Sequence, residues 1–209
     1  MDTYKITGLK QGVKNPDRVN VYVNSKFAFS LDVAQVVDFG IKIGLEIFAE
    51  QVEEFKKASE FGKLYQRALE WVLVRPRSKK ELYDYLYKKV FEKKLDKNYI
   101  GGVIEKLEDK NYINDAKFAE YYVENRFVKK GISAKRLKME LMKKGVAKEI
   151  IEEVLKDSGR DETEEIKKVI AKKRNKYDDE KLTQYLCRQG FQYDLVREMI
   201  QSSGMDSQS

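Results

Sequence analysis

The hydrophobic positions of the chain change period near residue 49. Before that point they alternate. Tyr4-Lys5-Ile6-Thr7 and Arg18-Val19-Asn20-Val21-Tyr22-Val23 place apolar side chains at every second position, the spacing of a half-buried strand. Asn15-Pro16-Asp17 is a turn signal, and so is Asn24-Ser25-Lys26, which leads into Phe27-Ala28-Phe29-Ser30-Leu31. This pattern predicts a small three-stranded antiparallel sheet. A short helix follows, capped by Asp32, running through Val37 and stopped at Gly40. Residues 42–47 read as extended.

From about residue 49 the apolar residues recur at i, i+3 and i+4. Val52 and Phe55 begin the series, and after a break near Gly62 it continues through Leu64, Ala68, Trp71 and Val72. Arg75-Pro76 ends that helix, because proline disfavours the helical conformation of the residue before it. Ser78-Lys79-Lys80-Glu81 has the form of a capping box and opens a helix with Leu82, Tyr85 and Leu86 on one face.

A shift of 45 residues aligns the chain with itself. Leu137 falls on Leu182, Leu141 on Leu186, Gly145 on Gly190, Val146 on Phe191 and Ile150 on Leu195. Ile151, Val154 and Leu155 fall on Val196, Met199 and Ile200 in the same register. Each copy reads as helix, glycine stop, helix, with Ser133 and Asp178 as aligned N-caps. A preceding helix completes each copy, carrying Phe118, Ala119, Tyr122 and Val123 in one and Ile166, Val169 and Ile170 in the other. The stretch from Gly62 to Tyr112 fits as a longer first copy, with its extra residues between Lys88 and Asn98.

The expected organisation is mainly α: tandem three-helix repeats behind a small N-terminal β-hairpin or sheet. Residues 1–61 hold the sheet, the short helix and a connecting helix. Three three-helix repeats then occupy 62–112, 113–158 and 159–202, and 203–209 form a polar tail. Polar residues from 201 onward are expected to fray. Repeats of this kind stack into an elongated, curved body with a long contact surface.

Charge adds a direction to this picture. The chain carries +7 overall, but residues 1–61 hold 8 basic and 9 acidic side chains, so the helical remainder carries +8. A basic excess of this size favours polyanionic partners. No apolar run reaches the roughly 20 residues that span a bilayer, and Met1-Asp2-Thr3-Tyr4 lacks a signal pattern, so a cytoplasmic protein is expected.

The chain has 0 histidines and one cysteine, Cys187. Histidine-based acid–base chemistry, Cys/His zinc sites and an internal disulfide are thereby excluded, and no cofactor is expected. Gly8-Leu9-Lys10-Gln11-Gly12-Val13-Lys14 lacks the spacing and ending of a phosphate loop. Acidic pairs such as Glu152-Glu153 fall on helix faces and form no recognisable catalytic pair.

Arg75-Pro76-Arg77-Ser78-x-x-Glu81-Leu82-x-x-x-Leu86 resembles the signature of the RecX family. Ile113-Asn114-Asp115-x-x-Phe118-Ala119, then Arg126, Gly131 and Leu141-x-x-Lys144-Gly145-Val146, follow in the family's order, and the resemblance covers residues 62–200. It implies a monomeric, non-enzymatic regulator of the RecA recombinase filament on single-stranded DNA. Such proteins lie along the filament groove and weaken filament growth, strand exchange and ATP hydrolysis, with effects on recombination, DNA repair and the SOS response. The rival reading from the residues alone is a basic helical-repeat module that binds nucleic acid without a recombinase target. A nuclease is disfavoured by the missing histidine and carboxylate cluster.

Three basic clusters are the candidate contacts to RecA or DNA. The first is Arg75, Arg77, Lys79 and Lys80, placed at a helix start, where cations oppose the helix dipole. The second is Arg126, Lys129, Lys130, Lys135 and Arg136 around Gly131. The third is Lys172, Lys173 and Arg174, with Lys176 beside them. The last two precede equivalent helices and are expected to line one edge of the body. Taken singly, each also reads as a solvated helix end. Tyr83, Tyr85, Tyr87, Tyr121 and Tyr122 interleave with lysines as base-stacking platforms do, though helical spacing favours half-buried packing with a wet hydroxyl. Trp71 reads as core, and Cys187, aligned with Met142, as a partly buried apolar position.

Overall fold

In a computed structural model of the chain, residues 3–13 and 15–205 are described. The alternating segment forms β1 (Thr3–Gln11), β2 (Arg18–Val23) and β3 (Lys26–Asp32), followed by α1 (Val33–Asp38) and β4 (Glu46–Phe48). The sheet is antiparallel in the order β3-β2-β1-β4, one strand more than the alternation predicts. The added strand is three residues long and pairs Ile47 with Tyr4, too short for a period of two to register. Asn24 and Ser25 take φ of 47° and 67° in the β2–β3 turn. Asp32 caps α1 by accepting from the Gln35 N–H at 2.8 Å, and Gln35 returns a side-chain acceptor to the Asp32 N–H. Ile6, Val21, Phe29, Leu31 and Ile47 form the inner face of the sheet and pack with Val52 and Phe55.

Those last two residues belong to α2 (Ala49–Leu73), which runs unbroken through Gly62. The expected break is therefore absent, and the glycine serves packing. A Cβ at Gly62 would stand 3.1 Å from Gln35 Oε1 and 3.3 Å from an Arg18 guanidinium nitrogen. Arg18 is itself buried, donating to the Ser30 hydroxyl at 3.2 Å and to the Ser59 carbonyl on α2 at 3.4 Å. The helix gives up side-chain volume where the sheet's one buried cation reaches it. Trp71, expected in the core, is half-buried and stacks on Tyr85 with centroids 4.5 Å apart.

Next come α3 (Lys79–Lys93) and α4 (Tyr99–Asp109), the latter burying Ile100, Val103, Ile104 and Leu107. The 45-residue repeat then appears as two helix triplets. One is α5 (Asp115–Asn125), α6 (Ala134–Lys143) and α7 (Lys148–Asp157); the other is α8 (Glu162–Lys173), α9 (Asp179–Arg188) and α10 (Tyr193–Met205). Each has its own apolar core: Phe118, Leu137, Leu141 and Ile151 in the first, Ile166, Leu182, Leu186 and Val196 in the second. Asn114, Ser133, Asp161 and Asp178 cap α5, α6, α8 and α9 through side-chain oxygens. Gly145 and Gly190 end α6 and α9 with φ of 82° and 96°, a region costly for any residue with a Cβ.

The described residues fall into two compact units, one within Met1–Val74 and Tyr85–Asp109, the other within Arg75–Asp84 and Lys110–Ser209. At the C-terminus the helix continues past residue 201, where fraying is expected. α10 extends to Met205, with Ile200 buried and the Ser202 hydroxyl donating back to the Met199 carbonyl at 3.1 Å. Residues 206–209 of the tail lie outside the described residues. No helix among the described residues is long and apolar enough to cross a membrane.

Candidate nucleic-acid interface

All three basic clusters fall in the second unit, and their positions follow from how successive helices abut there. Gly145 lies against the side chain of Lys80, so that a Cβ would stand 2.7 Å from Lys80 Cβ. Gly190 lies in the same way against Ser133 and Lys135, with a Cβ 2.8 Å from the Ser133 hydroxyl. The glycine closing the second helix of one repeat thus sits on the helix start of the preceding one. Side-chain bonds reinforce both joints. Lys144, beside Gly145, pairs with Glu81 at 2.5 Å, and Ser133 donates to the carbonyl of Gln189, beside Gly190, at 2.6 Å. The aliphatic stems of Lys80 and Lys135 therefore cover backbone, while their ammonium groups reach solvent.

The first cluster is organised by Glu81. Its carboxylate binds Arg75 at 3.2 Å and Lys144 at 2.5 Å, and the Ser78 hydroxyl caps the Glu81 N–H at 3.1 Å. Burial pushes the Glu81 carboxyl up, but hydrogen bonds from Lys144 and Arg75 more than offset it and hold the group below the usual range. Lys80 pairs with Asp84 at 3.1 Å, and the Lys79 N–H donates to Asp115 at 2.8 Å. Arg77 is half-buried, its guanidinium pKa lowered by burial and then by Arg75. Much of this cluster is committed to internal anions.

The second and third clusters meet. Phe127, Lys130, Gly131, Ile132 and Arg136 from the α5–α6 side face Val169, Lys172, Lys173, Tyr185, Gln189 and Phe191 across a cleft of about 510 Å³. Its floor is apolar, with Ile132, Val169 and Phe191 all buried. Its rim holds four cations, and the lining contains no carboxylate. Gly131 shapes the approach: with φ of 75°, a Cβ there would stand 2.3 Å from the Glu165 carbonyl oxygen and 2.8 Å from a Val169 methyl. Buried Glu165 also accepts from the Ile132 N–H at 2.9 Å and pairs with Lys168 at 2.8 Å, locking the loop onto α8.

Glu140 orients one wall. It accepts from Tyr122 and Arg126, each at 2.7 Å, and from Arg136 at 3.3 Å. Burial raises its carboxyl, but these donors outweigh that and hold it at about 2, while burial and Glu140 together push the Tyr122 hydroxyl up to about 12. Arg136 also donates to the Gln189 side-chain oxygen. Arg126 lies 3.8 Å from the Phe127 ring centroid, which Lys130 approaches to 5.7 Å. Lys173 lies 5.4 Å from the Tyr185 ring centroid, and Lys172 donates to the Lys129 carbonyl.

Not every expected residue joins this edge. Arg174 is taken by Asp179 at 3.3 Å and by the Ile200 carbonyl at 3.3 Å, and the cleft lining does not include it. Lys129 and Lys135 are exposed beside the cleft without lining it. Glu140, Phe127, Tyr185 and Gln189 were missed in the sequence. Glu140 carries one signal, its place four residues after Arg136, whereas nothing local links Tyr185 to Phe127. Of the interleaved tyrosines, Tyr83 and Tyr87 are exposed and Tyr85, Tyr121 and Tyr122 half-buried. Cys187 is partly buried, as expected, although Met142, the position it aligns with, is exposed.

Known proteins share this arrangement of segments. The family model for the RecX N-terminal domain matches residues 4–48, and that for the second three-helix domain of RecX matches residues 114–155. The regulatory protein RecX of Clostridium perfringens strain SM101 is 32% identical over 206 residues, covering 94% of each chain. That of Bacillus subtilis strain 168 is 32% identical over 200 residues, covering 91% of this chain and 74% of the relative. A crystal structure of regulatory protein RecX shares the fold with a TM-score of 0.74 at 24% identity, covering 95% of this chain and 99% of that one. RecX from Lactobacillus salivarius matches at a TM-score of 0.55 and 29% identity, covering 71% of this chain and 99% of that one. Extended identity to these relatives, together with the two domain matches, makes the chain a member of the RecX family of regulatory proteins.

Proposed function

We propose that the protein is a non-enzymatic modulator of RecA recombinase filaments on single-stranded DNA. The observation that carries this reading is the meeting of two basic clusters around one carboxylate-free cleft in a RecX-family chain. A filament groove exposes phosphate charge along its length, and a protein with cations on successive repeats gains affinity by displacing counterions there. Lys130, Lys172 and Lys173 are the principal contacts in this reading, with Arg136 prepositioned by Glu140. Lys129, Lys135, Arg126 and the cluster of Arg75, Arg77, Lys79 and Lys80 contribute at longer range.

The reading as a non-enzyme rests on the absence of histidine and on carboxylates, such as Glu81 and Glu140, already engaged with structural cations. In this proposal the protein is a cytoplasmic monomer acting where recombinase and chromosome meet. The test is RecA ATP hydrolysis on single-stranded DNA titrated with the protein. A saturating fall in hydrolysis supports the proposal. Unchanged hydrolysis, with the protein bound only to bare DNA, would leave it a nucleic-acid module without a recombinase target.

A further inference from the structure

We propose that the cleft between α6 and α8–α9 is a binding site for one nucleotide unit, with the base against Phe127 or Tyr185 and the phosphate on Lys130 and Lys173. The inference takes its biological setting from the proposed function, but its test contains no recombinase.

Two features of the cleft point to a ligand. Among the described residues, Lys130, Lys172 and Lys173 make no ion pair; Lys130 and Lys173 rest on aromatic rings and Lys172 on a carbonyl. They gather with Arg136 around one basin whose lining holds no carboxylate. Phe127 and Tyr185 pack on the edges of their repeat cores, Tyr185 stacked on Tyr177 with centroids 5.7 Å apart, and both stay half-buried where they line the cleft.

A ligand that meets both is planar on one side and anionic on the other. A nucleotide has both, and 510 Å³ lies within the range of small-molecule sites. An acidic peptide meets the cations but leaves the rings and the floor without a partner. The lining has one side-chain amide, Gln189, whose oxygen already accepts from Arg136, and it has no carboxylate to read base amino groups. The site therefore binds with little preference among bases, as stacking platforms do.

Calorimetry on the full chain tests this with three ligands, dT10, dTMP and poly-glutamate, at low and moderate salt. Lys130→Gln with Lys173→Gln is compared with Lys5→Gln with Lys26→Gln, which makes the same change of charge on the N-terminal sheet. Tyr185→Leu removes a ring while keeping an apolar side chain, and far-UV circular dichroism verifies each fold. The cleft pair should weaken dT10 about tenfold or more against the control, and Tyr185→Leu should weaken dT10 without changing poly-glutamate. Measurable dTMP binding that the cleft pair abolishes identifies a free-nucleotide site, and dT10 binding alone identifies a site for a unit of a strand. The proposal is overturned if dT10 does not bind, if the cleft pair behaves as the control pair does, or if poly-glutamate matches dT10 in affinity and in response to Tyr185→Leu. Loss of RecA inhibition plays no part in these outcomes, so the site and the proposed function fail separately.

Discussion

The Ser133 hydroxyl donates to the Gln189 carbonyl at 2.6 Å while accepting from the Arg136 N–H at 3.2 Å. One fully buried oxygen thus caps α6 and ties it to the end of α9. Ser133→Ala removes both bonds and leaves the partly buried Gln189 carbonyl short of a donor. A loss of about 1–3 kcal/mol in urea denaturation is expected, with helix content unchanged. A loss below about 0.5 kcal/mol would mean that the joint carries no weight.

The cap at Ser133 was legible in the sequence, and its second bond was not. Capping is a local property, written in a polar residue four positions before the start of an apolar series. The bond to Gln189 joins residues 56 positions apart in the chain. Gly145 and Gly190 show the same division. Their place in the repeat gives the left-handed cap, while the close approach of Lys80 and Lys135 emerges only in three dimensions. The 45-residue period found the cores of two repeats because apolar spacing reports burial directly. The cleft stayed hidden because its two walls are distant in sequence and its aromatic residues carry no local mark. At Gly62 sequence reasoning erred in the opposite direction, reading a packing glycine as a helix break.

Glycines with positive φ should separate by what surrounds them. Gly159 and Gly131 have φ of 61° and 75°, but a Cβ at Gly159 meets nothing within 4 Å, whereas one at Gly131 meets the Glu165 carbonyl at 2.3 Å. Gly159→Ala is expected to cost about 1 kcal/mol from backbone strain alone. Gly131→Ala should cost about 1–3 kcal/mol more, because backbone must move. Equal losses in thermal or urea unfolding would show that the α5–α6 loop yields freely.

The repeat cores can be compared directly. Leu141 and Leu186 are equivalent positions, each with no exposed surface. Leu141→Ala and Leu186→Ala should each destabilise by about 2–5 kcal/mol. Losses under about 0.5 kcal/mol in both would remove the shared pattern as the core face.

Glu140 gives a pH signature. Its carboxyl is held at about 2 against an ordinary 4.5, a depressed folded-state pKa. Its contribution is therefore complete above about pH 4.5 and is lost as pH falls toward 2. The carboxylate is 19% exposed, and its contribution is on the order of 2–3 kcal/mol at neutral pH. Glu140→Gln should lower stability at pH 7 and flatten the acid limb between about pH 4.5 and 2. An acid limb that matches the parent would show that Glu140 is not the group responsible.

The most direct test of the account is inhibition of RecA ATP hydrolysis on single-stranded DNA by two charge-reversed proteins. One carries Lys130→Glu, Lys172→Glu and Lys173→Glu at the cleft; the other carries Lys5→Glu, Lys26→Glu and Lys42→Glu in the N-terminal segment. Both alter net charge equally, so long-range electrostatics is matched. The account predicts that the cleft variant keeps its helical spectrum and needs at least about tenfold more protein to inhibit, while the N-terminal variant inhibits like the parent. Equal potency of the two variants, at the parent's level or below it, would contradict a defined basic face on the repeats.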